Sequence, residues 1–362
     1  MFLENASLKE PVRCCIYILI DTTLEEYMNK ILSVSIAAYN VEKTLAEVLN
    51  PFCSSKYKDL LDVMIVNDGS KDGTKAIALE YVEKYPEMFR LIDKANGGWG
   101  STLNAGFKEA RGKYFKQLDG DDFFSPENLD DFILYLSTVD SDMVYSPFVT
   151  FEDKTNAIIR VIGGYNCFTR NEIYYLDELN DFMPAMHDIT VKVDILRKNA
   201  ISITEHCFYT DVEYVIKAYN SCETMCYYER PIYYYRLARE GQSMSVSGVQ
   251  KHYLEHEKML FTMLDYYTKS VHNEEKQVAI ERRLMGACNM QYSFYFLLPT
   301  NSVHKKNFIN FDNKLKQYSE FYQCVPGRLV AFLRKHNFKG YLIISRIKTY
   351  REKKNKWNFF GA

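Results

Sequence analysis

Three carboxylates stand within four residues, Asp119-Gly120-Asp121-Asp122, at the end of the β-forming run Tyr114 to Leu118. On one short turn their mutual repulsion is costly unless a divalent cation neutralises it. Hard oxygen donors in this arrangement suit Mg²⁺ or Mn²⁺ bridging to a phosphorylated ligand, although the same pattern also forms solvated Asx turns. The residues that share the strand's edge decide between the two.

Those residues are set by the elements before the turn. Leu32 to Ala38 is a continuous apolar run ending at Tyr39-Asn40, and Val41 to Leu49 has helical spacing up to Asn50-Pro51. Leu61 to Val66 predicts a second buried strand running into Asn67-Asp68-Gly69-Ser70, after which Asp72 or Thr74 caps a helix to about Lys84. Phe89 to Ile92 predicts a short strand before Asn96-Gly97-Gly98-Trp99-Gly100-Ser101, and Thr102 to Ala110 predicts the helix leading to the strand that ends at Asp119. This βαβαβαβ order predicts a mostly parallel, Rossmann-like sheet flanked by helices, with ligands gathered at the carboxyl ends of its strands. Tyr39, Asp68 and the aspartate turn are therefore expected in one crevice.

Further along, Val191 to Lys198 and Asp211 to Tyr219 read as helices, and Thr224 to Tyr228 and Ile232 to Tyr235 as strands. His252 to Tyr267, Glu274 to Phe296 and Asn313 to Tyr322 show helical periodicity rich in Tyr, Phe and Met, which predicts helix packing, with an acceptor groove as the rival reading. The division expected is an N-terminal extension at 1–30, an α/β domain at 31–247 and a C-terminal helical region at 248–362. Met28 reads like a natural start just before the first strong strand. The apolar run Cys14 to Ile20 is too short to span a bilayer.

An apolar fraction of 47% and an aromatic fraction of 15% over 362 residues can build a large core, which excludes disorder for most of the chain. The net charge of −2 hides an asymmetry. Arg328 to Lys356 carries ten Lys/Arg against one acid, Glu352, a local +9 that leaves −11 elsewhere. The main body is thus no nucleic-acid binder on charge grounds. Nine scattered cysteines without a C-x-x-C pair fit reduced thiols in a cytoplasmic protein.

The ordered motifs Ser35-Ile-Ala-Ala-Tyr39-Asn40, Val66-Asn-Asp68-Gly-Ser70, Asn96-Gly-Gly98, Asn104-Ala-Gly106, Ala110-Arg-Gly112-Lys-Tyr114 and Leu118-Asp-Gly-Asp121-Asp122 resemble glycosyltransferase family 2. Tyr209-Thr210-Asp211-Val212-Glu213-Tyr214 and Arg230-Pro-Ile-Tyr-Tyr-Tyr-Arg236, with Gln242-Ser243-Met-Ser245, look like its bacterial members that build surface polysaccharides. The resemblance covers roughly residues 31 to 245. It implies a GT-A fold and inverting transfer of a sugar from a nucleotide diphosphate donor, a UDP-sugar before others. The acceptor would be a hydroxyl of a growing glycan, free or lipid-linked.

By the same resemblance Ala38, Tyr39, Asn40, Asp68, Asn96, Gly98 and Asp121 form the nucleotide site, with Asp68 accepting from the base and Tyr39 stacking on it. Asp122 is the expected direct ligand of Mn²⁺ or Mg²⁺, Asp121 bridges, and Asp119 supports. Arg236, Arg239 and Gln242 fall in a segment that folds over the diphosphate. Asp211 holds the position of the general base, although Thr210 stands where the family often has Glu.

Several residues keep two readings. Asp211 is either that base or a helix N-cap, and His187 either lines a sugar or acceptor pocket or is a packed structural histidine. Asn96 to Gly100, with Trp99, is either flexible backbone near the donor or turn chemistry. The basic, aromatic end at 328–362 either docks on an anionic membrane or packs one apolar stripe on the catalytic part. A sugar-phosphate nucleotidylyltransferase would need a Gly-rich loop where this chain has Ala37-Ala38-Tyr39-Asn40. A non-catalytic nucleotide-sugar-binding protein is the other alternative.

Overall fold

Apolar runs with both faces covered make the first strands. In the computed structural model, which describes residues 30–155, 157–237, 245–324 and 327–354, β1 (Leu32–Ala38) lies between β2 (Leu61–Asp68) and β4 (Tyr114–Asp119). Both neighbours are parallel to it, and β3 (Phe89–Lys94) adds in parallel to β2. Helices α1 (Leu45–Ser54), α2 (Thr74–Lys84) and α3 (Trp99–Glu109) make the crossovers. Ala38 pairs with Asn67 and Ala37 with Asp119, so the chain leaves the sheet at one level at Tyr39, Asp68 and Gly120.

Past β4 the sheet continues with β10 (Ile189–Lys192), β6 (Met143–Tyr145), β11 (Thr224–Tyr227) and β9 (Ile173–Tyr175). β10 runs antiparallel to both neighbours, so the parallel part gives way to a mixed half. A second sheet follows the order β5 (Phe123–Phe124), β12 (Tyr233–Leu237), β7 (Phe148–Glu152), β8 (Ile158–Ile162). Because β5 starts one residue after Asp122, this sheet grips the aspartate turn from behind. Two further helices are α4 (Pro126–Thr138) and α5 (Val193–Lys198), and α6 (Asp211–Ser221) follows them.

Three local expectations are corrected. Val191 to Lys198 is not one helix, because Ile189–Lys192 pairs with Phe115 and Met143 as a strand and the helix starts at Val193. The helix expected to stop at Asn50-Pro51 continues to Ser54, its fully buried Phe52 extending the apolar face past the proline. Asn313 to Tyr322 is split between α9 (Ser302–Leu315) and α10 (Ser319–Cys324), with the start set by Asn301, whose Oδ1 accepts from the His304 amide at 2.8 Å.

The C-terminal region is helical: α7 (Val246–Ser270), α8 (Glu274–Leu297), α9, α10, α11 (Arg328–Lys335) and α12 (Tyr341–Lys354). Its Tyr and Met stripe is core, with Tyr253, Met259, Met263, Tyr292 and Tyr295 all buried. No helix among the described residues is long and apolar enough to cross a membrane. The region is pinned along α6. Lys276 donates to the carbonyls of Asn220 and Cys222 at one end, and Tyr209 packs on His256 (5.2 Å) and Phe294 (5.6 Å) at the other.

Candidate active site

The Asp68 carboxylate, at the end of β2, is buried and organises the loop beside it. Its oxygens accept from the amides of Gly97 (2.9 Å) and Gly98 (2.8 Å), from Lys94 Nζ (2.7 Å) and from Ser101 Oγ (3.2 Å). Asn96 Nδ2 bonds the Asp68 carbonyl at 2.9 Å. Gly98, at φ +82°, takes a left-handed conformation that a side chain would strain. The Asn96–Gly98 stretch is thus a fixed cradle around Asp68, and any ligand N–H bonded there would share oxygens that already serve it. Asn40 ties the neighbouring strand end in place, its amide donating to Ser70 Oγ (3.0 Å) and its Oδ1 accepting from the Lys71 amide (2.8 Å). Tyr39 between them remains 49% exposed, its ring available for stacking.

The aspartate turn divides its three acids. Trp99 reaches across from the start of α3 and donates Nε1 to Asp119 Oδ1 at 2.7 Å. Burial first, and the Asp121 charge next, push the Asp119 carboxyl up to about 6. Asp122 is only 1% exposed and points inward: Tyr233 Oη donates to its Oδ2 at 2.6 Å and the Arg236 amide to its Oδ1 at 2.8 Å. Burial, then Asp121 and Asp119, raise it well above the usual carboxylate range. Asp121, between them at the tip of the turn, is part-exposed, as is Asp119.

Arg236, expected over a diphosphate, is buried behind the turn. Its Nε bonds the Asp121 carbonyl (2.7 Å), Nη1 bonds Asp153 (2.8 Å) and Nη2 bonds Glu47 (2.7 Å), so its guanidinium braces the turn against two other elements. Arg239 and Gln242 lie outside the described residues. His187 packs between Phe148 (4.8 Å), Tyr233 (4.9 Å) and Tyr235 (4.5 Å), and burial first, then Lys116 and Arg283, lower it to about 3. It is therefore neutral, and its Nδ1 has no hydrogen-bond partner among the described residues. Beneath it Lys116, fully buried, donates to the carbonyls of His187 (2.9 Å) and Ile189 (3.1 Å).

Asp211 is the first residue of α6, after Thr210 at the N-cap position, whose side chain makes no capping hydrogen bond. Burial raises its carboxyl; Arg283 and the amides of Asp211 and Val212 pull it back. Its charge bears on Asp119 and, with the three turn aspartates, on the half-buried Tyr235, which brings it to the same crevice. Glu213, the other acid of this first turn, is occupied: it bonds Lys217 Nζ (2.7 Å) and the Thr204 amide (3.2 Å). Arg283 was invisible to the sequence reading. It lies on the stripe of α8 that contains Lys276, Ile280, Ala287 and Gln291, and a lone Arg on that mostly buried stripe was the signal available.

The donor set fits a divalent cation in part. The turn concentrates hard carboxylates whose burial and repulsion such an ion relieves. Among the described residues no three His, Cys, Asp or Glu converge as a complete metal-binding group. The protein thus offers a fraction of a coordination shell, as is usual where phosphate oxygens and water complete it.

Residues 33–202 match the model of Glycosyl transferase family 2. An uncharacterized glycosyltransferase of Rickettsia prowazekii is 30% identical over 44% of this chain and 47% of its own length. A dolichyl-phosphate beta-glucosyltransferase of Trichomonas vaginalis is 40% identical over 28% of this chain and 32% of its own. The chain spans less than half the length of these curated relatives. Among solved structures, Staphylococcus aureus TarS 1–349 in complex with UDP-GlcNAc aligns with a TM-score of 0.60 at 21% identity, covering 89% of this chain and 92% of that one. The shared fold is the expected GT-A arrangement with its C-terminal helical region.

Proposed function

Because residues 33–202 match the model of Glycosyl transferase family 2, we propose that the chain is an inverting, metal-dependent glycosyltransferase of that family that moves a sugar from a UDP-sugar to a hydroxyl of a growing cell-surface glycan. The observation that carries this reading is the placement of Asp211, free of the ion pair that occupies Glu213, at the crevice of the aspartate turn. The complex of TarS with UDP-GlcNAc supports a uridine donor here. We place the catalytic unit at 31–247 and the enzyme in the cytoplasm.

In this reading the base stacks on Tyr39 and bonds to the Asp68 cradle, while Ala38, Asn40, Asn96, Gly98 and Asp121 frame the nucleotide. Mn²⁺ or Mg²⁺ held by Asp121 and by diphosphate oxygens would compensate the charge of the departing diphosphate. Asp122 and Arg236 fix the turn's shape, and Trp99 holds Asp119. Asp211 takes the proton of the acceptor hydroxyl as its oxygen bonds the anomeric carbon and the bond to the diphosphate breaks, inverting that carbon. His187, neutral with a free Nδ1, lines the sugar or acceptor pocket.

Screening nucleotide sugars for thermal stabilisation with and without Mn²⁺, followed by assay of UDP release, tests this. Metal-dependent stabilisation by one UDP-sugar with slow release of UDP supports it. Stabilisation with no release at all indicates a non-catalytic binder, and pyrophosphate formation from UTP and a sugar phosphate indicates a nucleotidylyltransferase.

A further inference from the structure

Helices α11 and α12 carry two apolar stripes, of which packing uses one. Val330, Leu333 and Tyr341 are buried, and Tyr341 stacks on Phe296 (5.9 Å), meets Phe308 (4.8 Å) and bonds the Tyr295 carbonyl at 2.7 Å. That stripe fastens the pair to α8 and α9. Among the described residues no other element covers the second stripe: Phe332 is 49%, Ile343 68% and Ile347 49% exposed, with Leu342 beside them. Packing of a solvated basic helix accounts for the first stripe and leaves the second unexplained.

The charge around the second stripe has one sign. From Arg328 to Lys348 there are basic residues and no acid. Two of these are turned to structural use, Arg334 bonding Asp312 at 2.8 Å and Lys348 lying over the Phe296 ring at 5.5 Å. Arg328, Lys335, Lys339 and Arg346 are exposed. A nucleic acid would reward these cations but not bare isoleucines. A two-fold pairing of this patch with itself would set like charges face to face. A bilayer with anionic headgroups takes both: phosphates meet Lys and Arg while aliphatic and aromatic side chains enter the acyl boundary.

We propose that α11 and α12 form a peripheral docking surface for an anionic lipid bilayer, with Phe332, Leu342, Ile343 and Ile347 entering it and Arg328, Lys335, Lys339 and Arg346 meeting its headgroups. The surface is separate from the nucleotide crevice, so its test stands apart from the proposed catalysis. The full chain is mixed with vesicles of phosphatidylglycerol in phosphatidylcholine, and of phosphatidylcholine alone. Binding should be to the anionic vesicles and should fall as salt rises.

Two surface variants divide the contributions. Lys335→Glu/Lys339→Glu/Arg346→Glu should weaken binding about 100-fold or more, from three lost cations near an anionic surface. Phe332→Ser/Ile343→Ser/Ile347→Ser should weaken it about 10-fold or more through lost apolar insertion. Both should keep the wild-type melting temperature and UDP affinity, since every altered side chain is exposed. The proposal is overturned by no vesicle binding, by equal binding to neutral vesicles or by binding unchanged in both variants. It is equally overturned if the intact chain ignores vesicles but binds nucleic acid, or forms a dimer that the serine variant abolishes.

Discussion

The backbone amide of Arg236 donates to Asp122 Oδ1 at 2.8 Å across 114 residues of sequence, and the same residue's guanidinium reaches Glu47 and Asp153. One residue of the second sheet thereby holds the aspartate turn from its inner side. Asp122 becomes a strut, and under the proposed function Asp121, at the tip of the turn, is the acid that would meet the metal.

That division predicts opposite behaviour for neighbouring residues. Asp122→Ala leaves the Tyr233 hydroxyl and the Arg236 amide without their acceptor and should cost about 1–3 kcal/mol of folding stability. Asp121→Asn should leave the melting temperature near wild type yet weaken Mn²⁺-dependent UDP binding by about 10-fold or more. Thermal unfolding and calorimetry on both variants check this; a stable Asp122→Ala with lost metal dependence would reverse the roles.

Metal-free stability should carry the signature of Asp119. Its carboxyl, pushed up to about 6 against an unfolded value near the ordinary 3.8, keeps a proton in the folded state that the unfolded chain has released. Between those values the folded state binds more protons, so this group's contribution to stability falls as pH rises. Asp119→Asn keeps an acceptor for Trp99 and removes the titration. Relative to wild type its melting temperature should climb from pH 4 to pH 7 by roughly 2–4 °C for each kcal/mol released. A difference independent of pH would contradict the assignment, and saturating Mn²⁺ should shrink it.

Arg283 should act on the proposed base from outside the sequence motifs that mark the crevice. Its cation pulls the Asp211 carboxyl down against burial. Arg283→Gln should therefore shift the acid limb of the turnover–pH profile to higher pH, because a base with a raised pKa is ionised only at higher pH. An unshifted limb would remove Arg283 from the site.

The crevice was legible because β1, β2 and β4 of the four parallel strands each end in a polar signal, at Tyr39-Asn40, Asp68 and Asp119. The βαβ order fixed their adjacency. What was not legible depends on distant partners. Ile189–Lys192 runs without a break into α5, so locally it has no period that separates strand from helix, and only Phe115 and Met143 make it a strand. The inward turn of Asp122 follows from Tyr233 and Arg236, more than a hundred residues away. The same contacts convert Arg236 from an expected diphosphate clamp into a brace. Arg283 reaches the site only because α8 is laid along α6.

The central claim is that Asp211 takes the acceptor's proton. Asp211→Asn is nearly isosteric and keeps a side-chain oxygen for the first-turn amides that the carboxylate takes. The direct measurement is donor affinity by calorimetry alongside the rate of UDP release from the best donor. We predict unchanged affinity with release slowed by roughly 10²–10⁴, the usual worth of a general base; near-wild-type release by a folded Asp211→Asn protein would contradict it.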